Sequence, residues 1–224
     1  MSDIVDKYRD FQKNLPESVK LVAVSKTKPN EDILALYEEG HRIFGENKVQ
    51  ELASKFEELP KDIEWHMVGH LQRNKVKYIA PFVSLIHAVD SIKLLRTLDK
   101  EGEKNQRVLE CLLQVHIADE ETKFGFSEQE ILETVQLEEI KNFKYVKIRG
   151  LMGMATFTDN LEKVRQEFKK LKAIFETIKT MYGFDQADFN ELSIGMSNDY
   201  QVAIEEGATI IRIGSLIFGA RNYH

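Results

Sequence analysis

KLVAVSKTKPNEDILALYEEG, residues 20–40, contains the unit from which the rest of the chain is built. Residues 20–25 form a short apolar run with valines at 22 and 24, the composition of a strand covered on both faces. Asn30, after Pro29, then offers an N-cap. Ile33, Leu34, Leu36 and Tyr37 recur at helical steps until Gly40 stops the helix. A strand leading directly into an amphipathic helix is one βα unit.

Working outward, the unit recurs. Residues 41–45 read as a second strand, followed by a helix with Val49, Leu52, Ala53, Phe56 and Leu59 on one face and Pro60 at its end. Residues 64–68 and 83–89 read as the third and fourth strands, with helices over 71–79 and from Ser91, where Ile92, Leu95 and Leu98 line up. After a fifth strand over 108–117, Ser127 and Glu130 form a capping-box pair ahead of Ile131, Leu132 and Val135. A sixth strand over 145–150 precedes the longest helix, which Asp159 caps and which carries Leu161, Val164, Phe168, Leu171, Phe175 and Ile178. Residues 189–193 and 209–213 are the seventh and eighth strands, and Ser197 caps the helix between them. Eight units in about 200 residues predict a single α/β domain over 1–224, a (β/α)8 TIM barrel, with an open doubly wound sheet as the alternative. Ile4, Val5, Tyr8 and Phe11 add an extra helix outside the barrel, within residues 1–15.

Composition narrows the function classes. A chain of 224 residues buries enough surface to need no disulfide or metal staple, and its one cysteine, Cys111 in the run CLLQV, reads as a small buried thiol. The charges spread through residues 1–13 leave no apolar signal core, and no apolar stretch approaches the length of a membrane span. A net charge of −6 without a basic block argues against a nucleic-acid partner. A cytoplasmic protein with neither membrane nor nucleic-acid partners is expected.

A barrel carries its functional residues at the C-terminal ends of its strands, with phosphate sites favoured after the seventh and eighth. Strand alternation puts Val22, Val24 and Lys26 on one face, so Lys26 points inward just past the last buried rung. Low-dielectric walls there favour the neutral amine, the nucleophile for a Schiff base. Lys28 is the rival, further out and beside Pro29, and a snorkelling surface lysine is the alternative reading of Lys26. Gly195-Met196-Ser197 after strand seven and Gly214-Ser215 after strand eight are glycine turns entering helix N-termini, which are ready anion cradles. Arg212, inside the strand TIIRI, must be buried and partnered, either by a carboxylate such as Glu191 or Glu46 or by a ligand heteroatom. Glu46 and Asn47 sit at the mouth after strand two. His66 lies in a strand and so does not share a face with His70, and no metal site is expected there. His87 and His116 read as hydrogen-bonded core residues. An inward lysine, two phosphate cradles and a buried arginine together suit pyridoxal 5′-phosphate (PLP): aldehyde to lysine, phosphate to the turns, ring nitrogen to a polar partner.

Six motifs occur in order: AVSK at 23–26, FGEN at 44–47, WHMVGHLQ at 65–72, IRGLMGM at 148–154, LSIGMS at 192–197 and RIGSLIFG at 212–219. Together they span essentially the whole chain, which resembles the pyridoxal phosphate homeostasis protein family, itself similar to the N-terminal barrel of alanine racemase. Two positions depart from that family's pattern: Lys48 stands where an aromatic residue is common, and His116-Ile117-Ala118 where Asn-Ile-Ser is usual. The resemblance implies PLP held as an internal aldimine on Lys26. It further implies that Ser197, Gly214 and Ser215, with Met196 beside them, hold the phosphate, that Arg212 faces the pyridine nitrogen and keeps it unprotonated, and that Asn47 lies near the ring. It implies cofactor buffering and delivery to apo PLP-dependent enzymes without robust turnover.

An amino-acid racemase of the alanine racemase type is the alternative function. Two-base racemisation takes its second acid/base from a C-terminal domain, and this chain ends at His224, soon after the eighth strand. A cofactor-independent Schiff-base lyase or aldolase using Lys26 is a third reading. The tail beyond Phe218 offers no dimerisation element, so a monomer is expected.

Overall fold

The structure, a computed structural model, describes residues 3–119, 124–181 and 188–219. Eight parallel strands close into a barrel in chain order: β1 (Lys20–Val24), β2 (Ile43–Glu46), β3 (Glu64–Met67), β4 (Leu85–Val89), β5 (Leu109–Gln114), β6 (Val146–Met152), β7 (Glu191–Ser193) and β8 (Ile210–Ile213), with β8 hydrogen-bonded back to β1. The (β/α)8 barrel is therefore the fold, and the open sheet is excluded by the β1–β8 pairing from Lys20↔Ile210 to Ala23↔Ile213.

Helices follow the strands: α1 (Asp3–Lys13), α2 (Asn30–Glu38), α3 (Val49–Glu58), a 3-10 turn (Arg73–Lys75) leading into α4 (Val76–Ile79), α5 (Ile92–Asn105), α6 (Glu128–Gln136), α7 (Glu138–Asn142), α8 (Leu161–Met181), α9 (Tyr200–Glu205) and α10 (Ser215–Phe218). The extra N-terminal helix is α1, which lies outside the barrel against α2 and α10. There Arg9 forms a bidentate pair with Glu39 at 2.6 and 2.7 Å, and Phe11 packs on Tyr200 with ring centroids 5.0 Å apart. The Ser127–Glu130 capping box is present on α6.

Three expected caps fall elsewhere. Asn30 is already helical, with Pro29 at the N-cap, because Pro29 supplies the extended backbone that must precede the first turn. Asn160 rather than Asp159 starts α8: its Oδ1 accepts from Lys163 N–H at 3.1 Å. Ser197 does not cap α9, because residues 197–199 form a separate turn and Asp199 is the N-cap.

Two apolar clusters divide the interior. The larger fills the space between strands and helices, around Trp65, Phe44, Phe168 and Phe189. The smaller gathers Val22, Val24, Leu85, Ala88, Leu112, Met152 and Ile210, and side chains from five strands of a closed ring can meet only inside it. Cys111 is fully buried in the larger cluster, and its surroundings push the thiol pKa up. Between β5 and β6 the register slips after Cys111↔Ile148 to Leu112↔Gly150. Gly150 takes φ +152°, and a Cβ there would lie 1.8 Å from Glu191 O, so the slip requires glycine. No described helix is long and apolar enough to cross a membrane.

Candidate functional site at the barrel mouth

A cavity of about 470 Å³ opens at the C-terminal ends of the strands. Lys26, Asn47, Met196, Ser197, Arg212, Gly214 and Ser215 all line it, so the candidate residues converge on one space. Lys26 follows β1 on the side predicted by alternation, with Val24 below it in the same wall. Lys28 also reaches the cavity but donates its Nζ hydrogen to Phe218 O at 2.7 Å, tying the β1 loop to α10.

The two cradles are built differently. After β7, Gly195 takes φ +92°, and a Cβ on it would come within 2.6 Å of Ala203 Cβ in α9, so glycine is what lets the chain turn beneath that helix. Met196 N–H is occupied by Asp199 Oδ1 at 2.6 Å, while the N–H groups of Ser197 and Asn198 have no backbone acceptor among the described residues. After β8, Gly214 leads into α10, whose first N–H groups, Ser215 and Leu216, lack helical acceptors as at every helix start.

Arg212 is the buried cation of the site. Its Nη1 donates to Ser193 O at 2.8 Å and to Ser193 Oγ at 2.6 Å, and its Nη2 donates to Gly153 O at 3.0 Å. The expected carboxylate partners are engaged elsewhere: Glu191 binds Lys20 at the opposite end of β1, and Glu46 binds Lys55 and Ser25. Glu191 stands on β7, next to β8, and Glu46 on β2, two strands from β8, and among the described residues neither accepts a hydrogen bond from the guanidinium. Burial lowers the Arg212 pKa to about 10, with Asp199 partly opposing, so the group stays cationic at neutral pH. Asp199 itself is pushed up by burial, while Met196 N–H and Arg212 hold it down.

A polar chain runs inward from Arg212. Ser193 Oγ lies 2.9 Å from His87 Nδ1, and His87 Nε2 lies 2.9 Å from His66 Nδ1. Arginine only donates, so Ser193 Oγ accepts from it and directs its own hydrogen at His87 Nδ1. That assignment leaves Nε2–H on His87 to donate to His66 Nδ1. Both rings are neutral: burial takes His66 down to about 3, and His87 is lowered well below 6.5 by burial, with His66 and Arg212 adding to it. Sequence reading placed His87 in the core but missed this chain, because side chains on β3, β4, β7 and β8 meet only once the ring has closed.

The rim adds residues that sequence reading also missed. The segment from Met154 to Thr158 after β6 lines the cavity, and Glu167 of α8 anchors it by accepting from Thr156 N–H at 2.7 Å and Thr156 Oγ1 at 2.6 Å. Phe157 at its tip is 84% exposed. Opposite, His70 pairs with Asp90 at 3.2 Å and stacks on Phe124 with centroids 3.9 Å apart, while Gln114 donates to Phe124 O at 3.1 Å. His66 and His70 thus belong to different environments, and His116 lies half-buried just past β5. Lys48, the departure at the mouth, is exposed.

The sequence pattern of the alanine racemase N-terminal domain matches residues 1–222. The pyridoxal phosphate homeostasis protein of Aquifex aeolicus (strain VF5) is 42% identical over 206 residues, covering 91% of this chain and 88% of its own. The protein of the same name from Haemophilus influenzae is 40% identical, covering 92% and 86%. Among solved structures, PipY of Synechococcus elongatus PCC7942 with PLP bound superposes with a TM-score of 0.86 at 32% identity, covering 97% of this chain and 100% of that one. Alanine racemase of Bartonella henselae, with covalently bound pyridoxal phosphate, shares the fold at a TM-score of 0.72 and 15% identity, over 97% of this chain and 58% of that one.

Proposed function

Since the chain belongs to the pyridoxal phosphate homeostasis protein family, we propose that it binds PLP in the barrel-mouth cavity and holds it on Lys26. The observation that carries this reading is one cavity lined at once by an inward lysine, two glycine cradles and a buried arginine. The arginine is the discriminating part of the fit. Its described hydrogen bonds go only to neutral acceptors, so a positive charge faces the cavity and favours a ring nitrogen with its lone pair free over a protonated one. When bound, PLP supplies an aldehyde that condenses with an amine, forming a C=N bond and releasing water.

Each residue then has a task. Lys26 supplies the amine. The N–H groups of Ser197 and Ser215, with their hydroxyls and the close-approaching Gly214 backbone, hold the phosphate dianion, and Met196 shapes the same turn. Asn47 faces the ring. Arg212 donates to the pyridine nitrogen, which keeps it unprotonated and weakens the ring as an electron sink. A carrier needs that restraint: it must hold a reactive aldehyde without driving carbanion chemistry. We infer a cytoplasmic, monomeric carrier that buffers the cofactor and delivers it to apo PLP-dependent enzymes without robust turnover of its own.

The test is spectroscopic. Adding PLP to the purified protein should raise a visible Schiff-base band, and borohydride reduction followed by peptide mapping should place the label on Lys26. Lys26→Ala should lose the band yet retain weak, phosphate-anchored binding. A protein that stays colourless, or a label on Lys28, overturns the assignment.

A further inference from the structure

Thr27 is a β-branched residue at φ +63°, a left-handed conformation that such side chains seldom adopt. It is the second central residue of a turn closed by Lys28 N–H donating to Ser25 O at 3.0 Å, and Lys26 is the first. Glycine or asparagine usually occupies the positive-φ position of such a turn, and Ser-Lys-Thr-Lys offers neither. The conformation must therefore be imposed by the surroundings.

The imposing group is buried. Lys55 of α3, with a side chain only 7% exposed, donates to Ser25 O at 2.8 Å, to Glu46 Oε1 at 2.7 Å and to Glu51 Oε1 at 2.8 Å. Both carboxylates also grip the turn: Glu46 Oε1 accepts from Ser25 Oγ at 2.6 Å, and Glu51 Oε1 accepts from Thr27 N–H at 2.6 Å. The residues on either side of Lys26 are thus tied to one ionic cluster, while Lys26 itself lines the cavity. The cluster is a poor stabiliser of the fold. Glu46 is fully buried, its Oε2 has no hydrogen-bond partner among the described residues, and burial raises its carboxyl pKa despite Lys55. A buried ion pair of this kind costs desolvation that can exceed its attraction, whereas removing one partner strands a buried charge.

We propose that Lys55, clamped between Glu46 and Glu51, is the positioning device for Lys26, fixing the 25–28 turn from both sides so that the amine addresses the cavity. The proposal rests on Lys26 being the cofactor lysine, and its test separates the two. Pyridoxine 5′-phosphate, which has the ring and phosphate but no aldehyde, reports the cavity alone; PLP with borohydride trapping reports the aim of Lys26. Lys55→Met keeps the approximate volume and removes the donors. It should lower covalent trapping on Lys26 about tenfold or more, since displacing a reacting atom by about 1 Å costs up to about a hundredfold. Pyridoxine 5′-phosphate affinity should stay close to wild type. Equal loss of both readouts, or loss of neither, overturns the proposal. If Lys55→Met does not fold, Glu51→Ala carries the test, because Glu51 is 23% exposed and its loss frees only Thr27 N–H and one contact of Lys55. Trapping should fall with Glu51→Ala and recover when Thr27→Gly is added, since glycine adopts positive φ without a clamp. Failure of that rescue also overturns the proposal. Absence of any Lys26 label in the wild type would instead defeat the cofactor assignment, and the clamp's purpose with it.

Discussion

Lowering the pH from 7.5 to 5.0 should weaken the fold through three buried imidazoles. Burial holds His66 down to about 3 and His41 down to about 4, and it lowers His87 well below 6.5. In the unfolded chain each ring titrates near 6.5. Below that value the unfolded state takes up protons that the folded state refuses. The stabilisation is therefore complete above about pH 6.5 and is lost progressively as the pH falls toward the folded values. At pH 5.0 the folded His66 and His41 rings are still neutral, so the unfolded pKa alone sets their loss: about 2 kcal/mol per ring, or about 4 kcal/mol for the two, with His87 acting in the same direction. That is a large part of the 5–15 kcal/mol or so that holds an ordinary domain together.

Glu46 and Asp199 act in the opposite direction, since burial raises both carboxyls and makes the folded state the better proton binder. A difference measurement removes them. Among the described residues the His41 ring hydrogen-bonds only with Tyr8 OH and Ile43 O, away from the cavity. Urea unfolding of wild type and His41→Gln at both pH values, followed by fluorescence of the buried Trp65, should show the pH-induced loss shrinking by about 2 kcal/mol in the variant. A loss unchanged to within about 0.5 kcal/mol would refute the reasoning, because it would mean that the folded imidazole titrates like the unfolded one.

Ser193→Ala removes both the acceptor of Arg212 Nη1 and the donor to His87 Nδ1, and should cost about 2–3 kcal/mol in urea unfolding at pH 7.5. Gly195→Ala puts a side chain at φ +92° and a Cβ into Ala203; it should cost about 1–3 kcal/mol and weaken pyridoxine 5′-phosphate binding, read by equilibrium dialysis. Glu167→Ala releases Thr156, so amide hydrogen exchange should accelerate across residues 155–158 while the β6 amides keep their protection.

The sequence made the barrel legible because each βα unit passes from a short apolar run to apolar residues spaced three and four apart, and Pro60, Gly40 and the Ser127–Glu130 box punctuate it. Strand ends were read too long, as at 108–117 against Leu109–Gln114, because apolar loops dipping toward the mouth look like strand. The places of Lys26 and Arg212 at the cavity were legible from alternation and from a charge inside an apolar run. The partners of Arg212 were not. Choosing a carboxylate follows from charge, whereas the strand register delivers Ser193 and Gly153 instead. The Lys55 clamp was equally hidden, since an i, i+4 Glu51–Lys55 pair looks like an ordinary solvated helix face until α3 is packed against the β1 loop.

The pairing of β1 with β8 means that Lys26 and the Gly214–Ser215 turn come from opposite lips of a single seam. The two lie side by side only once that seam has closed, so a ligand held by both, as proposed above, would report ring closure. A ligand reaching across it acts as a rivet: at a hundred times its dissociation constant it adds about 2.7 kcal/mol against reopening.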